Sequence, residues 1–302
     1  MKIIFMGTPD YAARILEVLI NDTAIDVVAV YTQPDKPVGR KKVLTPPPVK
    51  VLATTHNIAL YQPERLRDVH VVETLEQIAC DFIVVAAYGQ ILPKAVLEHA
   101  PCINLHASIL PKYRGASPIQ QALLNGDTET GITAMLMDEG LDTGAILDIE
   151  RIQISSDEML ETLFDRLTSL AAQMTPKVLK SFNTLIPKIQ DETKASYCKK
   201  ITKADGEITF NDAQTLYNQY RAYTPWPGVY LQSGLKLKVM TFENNNVHSK
   251  SGVILQIDTH SALISTYHGE VRIFTVQPPS KKEMGIVDYL NGARLGIADT
   301  LA

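Results

Sequence analysis

The sequence predicts an α/β domain built on a mostly parallel sheet, followed by a small all-β domain. In the first half of the chain, short runs rich in β-branched residues alternate with helical segments, a pattern typical of parallel strands buried on both faces. Towards the C-terminus, short strands follow one another with turn residues between them. The length of 302 residues suits two domains at about 100–200 residues each.

The N-terminal elements alternate regularly, which predicts a Rossmann-like sheet with helices on both faces. The runs predicted as strands are Lys2–Met6, Ile25–Thr32, Asp81–Ala87, Cys102–His106, Gly131–Met137 and Ala145–Ile154. The helical patterns between them are Tyr11–Ile20, Val49–Thr55, Val71–Ala79, Ala95–His99 and Ser117–Leu124. The longest helical pattern, Asp157–Phe182, follows the last of these strands.

The character of the chain changes after this helix. Pro187–Glu207 is polar and has few periodic apolar positions, so we interpret it as a linker. The segments predicted as strands beyond it are Val229–Gln232, Lys236–Phe242, Gly252–Asp258, Ala262–Thr266 and Val271–Val276. They predict a small β-barrel or sandwich. The expected boundaries are therefore 1–186, 187–207 and 208–302.

Composition and charge exclude several classes of protein. The net charge of −4 rules out a wholly basic nucleic-acid coat protein, although a local basic patch remains compatible with it. Three separated cysteines without a C-x-x-C pair indicate neither a disulfide framework nor a structural zinc site. The N-terminus lacks the features of a signal peptide, and no apolar run approaches the 18 or so residues of a membrane span. We expect a cytoplasmic protein.

Two polar side chains near the end of one predicted strand are candidates for chemistry. Asn104 and His106 are two residues apart, so both project from the same side of the strand. An amide can stabilise an oxyanion while an imidazole moves a proton, although both groups also occur as structural residues in strands. The Gly-flanked segment 137–144 offers carboxylates for such a site, or is a solvated turn.

Other kinds of chemistry find less support. Gly7 follows the first strand without G-x-G-x-x-G spacing, so a dinucleotide site is not indicated. The seven histidines are scattered, which predicts no metal site. A G-x-S-x-G elbow for a nucleophilic serine is also absent from the sequence.

A basic segment, Gln33–Val51, interrupts the first domain. It holds five basic residues and one acidic residue, a local balance of +4. Its prolines and Gly39 make a helix or strand unlikely for most of its length. Long loops inside compact domains are often functional, and these cations would contact phosphates. A solvated surface loop is the alternative interpretation.

The motif around Asn104 resembles the folate-dependent formyltransferase family. The match consists of Asn104-x-His106-x-Ser108-x-Leu110-Pro111, then Tyr113-Arg114-Gly115, with Asp142 downstream in LDTG. Family members transfer a formyl group from 10-formyltetrahydrofolate to an amine, without a metal. The resemblance implies the catalytic residues Asn104, His106 and Asp142. It also implies a folate pocket lined by Tyr88, Gln90, Ile91, Leu92, Ser108, Ile109, Leu110, Pro111, Asp138 and Gly140.

Four further segments resemble the branch of this family that acts on initiator methionyl-tRNA. They are MGTPDYA at the N-terminus, Gln33–Lys50, Ile201–Ile208 and Tyr223–Tyr230. The resemblance implies that the basic segment enters the acceptor end of the tRNA, with Arg40, Lys41 and Lys42 as the candidate contacts. It also implies a monomer with a C-terminal β-barrel of oligonucleotide-binding type. The candidate phosphate contacts of this barrel are Lys236, Lys238, Lys281 and Lys282.

Two alternatives stay open at this point. One is a formyltransferase that acts on an amino sugar nucleotide, which would not need the basic segment. The other is a non-catalytic RNA-binding protein on the same fold, against which the intact trio argues.

Overall fold

The computed structural model describes residues 1–39 and 41–301. These residues form two compact units that interleave along the chain. The first unit holds Met1–Gly115, Glu129–Gln153 and Phe164–Tyr197. The second holds Ala116–Thr128, Ile154–Leu163 and the chain from Cys198 onwards. The boundaries at residues 186 and 207 stay a prediction.

The first half of the chain folds as alternating strands and helices. Its strands are β1 Lys2–Gly7, β2 Asp26–Tyr31, β3 Lys36–Val38, β4 Val43–Thr45, β5 Leu60–Tyr61, β6 Phe82–Ala86, β7 Cys102–His106, β8 Arg114–Gly115, β9 Glu129–Leu136 and β10 Ile146–Gln153. Its helices are α1 Asp10–Ile20, α2 Pro48–Thr55, α3 Val69–Glu76, α4 Lys94–His99, α5 Pro118–Leu124 and α6 Leu160–Ser181.

Seven strands form the central sheet, in the order β10-β9-β7-β6-β1-β2-β5. The pairs from β7 to β5 are all parallel, whereas β9 is antiparallel to both β7 and β10. The central strands are almost wholly apolar, and Ile3, Ile4, Phe5 and Met6 of β1 are fully buried. The mostly parallel sheet predicted from the sequence is confirmed.

Gly7 is required for packing at the end of β1. A Cβ atom there would lie 2.5 Å from the Ala12 Cβ atom and 2.9 Å from the Ala86 carbonyl oxygen. Only glycine allows α1 to approach the sheet this closely. The glycine of the first βα turn is therefore accounted for by packing alone.

The basic segment is more regular than the sequence indicates. β3 and β4 pair as an antiparallel hairpin, which we call the basic hairpin (residues 36–45), and α2 begins directly after it. Pro37 fits because a two-stranded ribbon leaves every second N–H without a ladder partner. Gly39 and Lys42 adopt positive φ angles of 71° and 49°, which turn the chain between the strands. The sequence analysis argued against helix or strand for most of this segment, and it was wrong for Lys36–Val38 and Val43–Thr45.

The second unit contains the antiparallel C-terminal sheet. The remaining strands of the chain are β11 Tyr197–Cys198, β12 Val229–Tyr230, β13 Lys236–Val247, β14 Ile254–Ile257, β15 Ala262–Ser265, β16 His268–Gln277 and β17 Met284–Gly285. The helices are α7 Ala213–Tyr223 and α8 Ile286–Ala293. The sheet order is β12-β13-β16-β15-β14, with β17 also paired to β16. Repeated register shifts bend the long β13–β16 pair, as in strongly coiled sheets.

Residues 188–197, within the predicted linker, belong to the first unit and are called the strap here. Lys188 forms a bridge with Ile146, and the Ser196 carbonyl oxygen accepts from the Arg114 N–H at 2.8 Å. The strap consists of short turns and extended pieces, which explains why periodicity did not reveal it.

Over the described part of the chain, no helix has both the length and the apolarity that crossing a membrane requires.

Candidate active site

Strand β7 carries two of the three predicted catalytic side chains. Asn104 pairs in register with Val85 and Met135, and His106 pairs with Thr133. Strand alternation places both side chains on one side of the sheet, as expected. His106 is buried, with 6% of its surface exposed, whereas Asn104 is partly buried. Neighbouring strands on both sides therefore fix the backbone beneath these groups.

The His106 ring lies between two acceptors. Its Nε2 atom is 2.9 Å from the Tyr113 carbonyl oxygen, and its Nδ1 atom is 3.6 Å from Oδ2 of Asp142. A carbonyl oxygen can only accept, so Nε2 carries a proton. When Nδ1 is also protonated, it faces the carboxylate as an ion pair. The surroundings thus provide an acceptor for each N–H of an imidazolium.

Asp142 joins the three side chains into one group. Its carboxylate accepts from Asn104 Nδ2 at 3.4 Å and from the Gly115 N–H at 2.8 Å. The residue has a positive φ of 55°, an uncommon conformation for a side chain with a Cβ atom. Nearby Gly144 allows the loop to close, because a Cβ atom there would lie 1.7 Å from the Leu136 carbonyl oxygen. The predicted trio is therefore brought together in space.

The loop after β7 is held by hydroxyl groups. Thr133 Oγ1 donates to the Ser108 carbonyl oxygen at 2.6 Å and accepts from the Leu110 N–H at 3.1 Å. Ser108 Oγ donates to the Lys112 carbonyl oxygen at 2.6 Å. These bonds fix the path of the chain to Tyr113, whose carbonyl oxygen accepts the hydrogen bond from His106 Nε2. Thr133 was not predicted, because a lone Thr in a strand gives no signal in the sequence.

The predicted folate residues after β6 differ in their surroundings. Tyr88 and Leu92 are buried, whereas Ile91 is 86% exposed. Burial raises the pKa of the Tyr88 hydroxyl, for which no hydrogen-bond partner is found in the described part of the chain. The Gln90 carboxamide accepts from the Leu66 N–H and donates to the Pro63 carbonyl oxygen. Its side chain thus supports the loop, and its role towards folate stays a prediction.

The remaining predicted folate residues lie in two loops. Leu110 is buried, and Ile109 and Pro111 are partly buried in the segment after β7. In the loop after β9, Asp138 Oδ1 accepts from the Gly140 N–H at 2.9 Å and from Thr143 Oγ1 at 2.6 Å. This carboxylate organises the turn, which agrees with the local role of Asp in turns. The structure leaves the predicted contacts of these residues with folate as predictions.

The strap provides residues that sequence reasoning missed. Gln190 is buried, and its Nε2 atom donates to the carbonyl oxygens of Asp142 and Gly144, each at 2.8 Å. Its Oε1 atom accepts from Nε and Nη2 of Arg114 at 3.1 and 2.8 Å. The Arg114 side chain is fully buried and forms an ion pair with Glu192. Glu192 holds the pKa of Arg114 above its usual range, and Arg114 lowers that of Glu192.

The predicted tRNA contacts lie in the basic hairpin. Arg40 lies outside the described residues, and Lys41 and Lys42 are exposed. At the base of the hairpin, Lys50 forms an ion pair of 2.8 Å with Asp35, which also accepts from Gln62. Hydrogen bonds from Gln62 and Lys50 lower the pKa of Asp35. Lys50 is thus engaged within the protein, whereas Lys36, Lys41 and Lys42 face solvent.

The candidate phosphate contacts in the second unit are less uniform. Lys238 forms an ion pair of 3.0 Å with Glu283, whereas Lys236, Lys281 and Lys282 are exposed.

Across residues 1–39 and 41–301, no group of His, Cys, Asp or Glu side chains is arranged to hold a metal ion.

Comparison with known proteins identifies the family. Residues 1–179 match the family model described as Formyl transferase, and residues 200–294 match Formyl transferase, C-terminal domain. The methionyl-tRNA formyltransferase of Sulfurimonas denitrificans is 59% identical over 302 residues, covering 100% of both chains. That of Nitratiruptor sp. is 56% identical over 303 residues, covering 99% of each.

A solved structure has the same fold at lower identity. The N-formyltransferase from Helicobacter canadensis, in complex with folinic acid and dTDP-3-aminofucose, gives a TM-score of 0.69 at 20% identity. The match covers 92% of this chain and 100% of that one. This likeness establishes the fold alone, whereas the full-length relatives are much more similar in sequence. The chain therefore belongs to the formyl transferase family and, within it, to the methionyl-tRNA formyltransferases.

Proposed function

We propose that this protein transfers the formyl group of 10-formyltetrahydrofolate to the α-amino group of methionine on initiator Met-tRNA. The observation that carries the proposal is the group formed by Asn104, His106 and Asp142 in a chain 59% identical to a methionyl-tRNA formyltransferase over its whole length. We place this activity in the cytoplasm and assign it to a monomer. The reaction needs positioning and charge stabilisation and no metal.

In this mechanism the methionine α-amine attacks the formyl carbon of the folate. A C–N bond forms, and the C=O electron pair moves to the oxygen, giving a tetrahedral intermediate. Asn104 Nδ2 donates to this oxyanion through the N–H that is not bonded to Asp142, and the positive charge of the protonated His106 ring stabilises it. Preorganised donors of this kind supply several kcal/mol of transition-state stabilisation, since they need no reorganisation during the reaction.

Asp142 keeps the His106 ring oriented and accepts the proton that the attacking amine loses, directly or through water. The bond between the formyl carbon and N10 of the folate then breaks, the C=O bond re-forms, and N10 takes up the proton that Asp142 accepted from the amine. The products are formylmethionyl-tRNA and tetrahydrofolate. Burial of Asp142 and His106, with 12% and 7% of their side-chain surfaces exposed, supports this assignment because ion pairs are screened less away from water.

The basic hairpin supports the choice of a tRNA substrate. Its strands are exposed along their length; Lys36 lies on the first strand, and Lys41 and Lys42 directly precede the second, with Arg40 next to them in the sequence. Exposed cations on an exposed ribbon suit a phosphate backbone, and Arg also binds base edges. An amino sugar nucleotide is too small to need such an element.

The test is a formyl-transfer assay with three acceptors: initiator Met-tRNA, elongator Met-tRNA and a free amino sugar nucleotide. We expect the highest kcat/KM with the initiator tRNA. Preference for the elongator tRNA or the sugar would contradict the proposal. Binding of initiator tRNA without formylation would instead identify a non-catalytic RNA-binding protein.

A further inference from the structure

We propose that Gln190, in the strap, is a positioning residue that sets the place of Asp142 in the formyl-transfer site. The inference rests on the proposed function and adds a residue to it. Gln190 lies 48 positions from Asp142 in the sequence, in a segment without catalytic motifs. Its side chain nevertheless contacts the backbone of Asp142 itself.

The first step of the argument is the direction of the hydrogen bonds. Arg114 can only donate, and the carbonyl oxygens of Asp142 and Gly144 can only accept. Gln190 faces the guanidinium on one side and the two carbonyls on the other. A carboxamide is the side-chain group that accepts at one atom and donates twice at its neighbour. The orientation of the amide is therefore fixed by its partners.

The second step is that these bonds close a ring around Asp142. Gln190 holds the carbonyl of Asp142, while the Gly115 N–H holds its carboxylate at 2.8 Å. Gly115 follows Arg114, whose guanidinium in turn donates to Gln190. Gln190 thus fixes the backbone of Asp142 and Gly115 fixes its carboxylate, and the two are connected through Arg114.

The third step is that Asp142 needs such support. Its φ of 55° lies in the left-handed region, which is unfavourable for a residue with a Cβ atom. The Gly140–Gly144 turn around it has two glycines and would adopt other conformations readily. The two carbonyl contacts of Gln190 stand one residue apart on either side of Thr143. They hold the turn in the shape that directs the carboxylate at His106.

The Arg114 guanidinium supports Gln190 from behind. It is fully buried and forms a bidentate ion pair with Glu192, with N–O distances of 2.6 and 2.9 Å. Glu192 is itself 66% exposed on its side chain and contacts neither Asp142 nor His106 in the hydrogen bonds described. The order of support therefore runs from Glu192 through Arg114 and Gln190 to Asp142.

The principal test is Gln190→Met, which keeps length and volume and removes every hydrogen bond. We expect kcat for initiator Met-tRNA to fall about 10- to 100-fold, since small displacements of catalytic groups cost this much. KM for the folate donor and for tRNA should change by less than about threefold, because positioning acts in the transition state. Gln190→Glu keeps an acceptor for Arg114 but places a carboxylate oxygen, which cannot donate, against the carbonyl oxygens of Asp142 and Gly144. Its kcat should therefore fall as well.

The control is Leu179→Ala, a buried position of α6 in the same unit. It should lower the melting temperature and leave kcat within about twofold of the wild type. A double-mutant cycle completes the test. If Gln190 acts through Asp142, adding Gln190→Met to Asp142→Asn should lower kcat by less than about twofold further.

Hydrogen exchange separates this proposal from the proposed function. The Gly115 N–H, which is hydrogen-bonded to Asp142, should exchange faster in Gln190→Met than in the wild type. Its exchange rate should be unchanged in Leu179→Ala. If the wild type formylates no Met-tRNA, the proposed function fails, and the exchange result still decides whether Gln190 fixes Asp142. The inference is overturned if either Gln190 variant is folded and has near wild-type kcat. It is also overturned if the kcat losses of Gln190→Met and Asp142→Asn multiply in the double variant.

Discussion

The proposed catalytic trio and the basic hairpin are both small polar elements of the first unit, but they are supported very differently. Asn104, His106 and Asp142 are held by neighbouring strands, by β8 and by the strap. The basic hairpin has two strands of three residues each, all exposed. One region is preorganised, as the proposed catalysis requires, and the other exposes the charge that we propose binds the tRNA phosphates.

Replacing the trio should give the largest effect and tests the preorganised side of this comparison. We expect His106→Ala and Asp142→Ala each to lower kcat about 10²- to 10⁴-fold, the range for acid–base groups. KM for tRNA should change little, because we assign most of the tRNA affinity to the basic hairpin. Steady-state formylation measures kcat, and filter binding measures affinity for tRNA. A triple Asn104, His106 and Asp142 alanine variant with near wild-type turnover would refute the assignment.

Glycine substitutions compare the two regions directly. Gly144→Ala places a Cβ atom 1.7 Å from the Leu136 carbonyl oxygen, whereas a Cβ atom at Gly39 has no non-neighbouring atom of residues 1–39 and 41–301 within 4 Å. We expect Gly144→Ala to lower kcat by about 10- to 100-fold and to destabilise the fold by about 1–3 kcal/mol. Gly39→Ala carries only the strain of a positive φ, about 1 kcal/mol. Thermal unfolding and steady-state kinetics of both variants measure these effects. Equal losses of stability and kcat in the two variants would contradict the difference in support between the two regions.

Removing charge from the hairpin should produce the opposite kinetic pattern. We expect Lys41→Ala/Lys42→Ala to raise KM for initiator tRNA by about 10-fold with kcat nearly unchanged. The slope of log affinity against log salt should decrease by about two, one for each lost phosphate contact. Titrations over a range of salt concentrations measure it. Lys94→Ala/Lys177→Ala, at exposed sites on other elements, is the control and should leave both quantities unchanged. A fall in kcat instead of a rise in KM would place the hairpin within the reacting site.

The smallest expected effect is the pH dependence at the base of the hairpin. The pKa of Asp35 is lowered by Gln62 and Lys50, so the folded state binds a proton there less readily than the unfolded chain. The stabilisation is therefore present above the unfolded pKa of about 3.9 and is lost as pH falls through the lower folded value. Asp35→Asn should lower Tm slightly at pH 7, and its curve should converge with the wild type below pH of about 4. A Tm difference that persists at low pH would contradict this origin.

Much of the fold could be predicted because its elements are encoded locally. Apolar runs such as Lys2–Gly7 and Phe82–Ala86 are buried on both faces, and this burial is visible in their composition. The two-residue spacing of Asn104 and His106 likewise fixes their common side once the strand is assigned. The basic hairpin was missed because its strands are only three residues long and contain Pro37. Such short ribbons depend on turn geometry more than on periodicity.

The sequence by itself determined the order of the main strands and helices of the first unit, the Asn104 and His106 pair, the concentration of charge in residues 33–51 and, through its motifs, the family. Tertiary structure alone decided that Asp142 meets His106 and that the strap supports it through Gln190. The physical reason is that periodicity reports burial within one element. Contacts between loops 48 residues apart depend on single hydrogen bonds, which leave no repeating pattern in the chain.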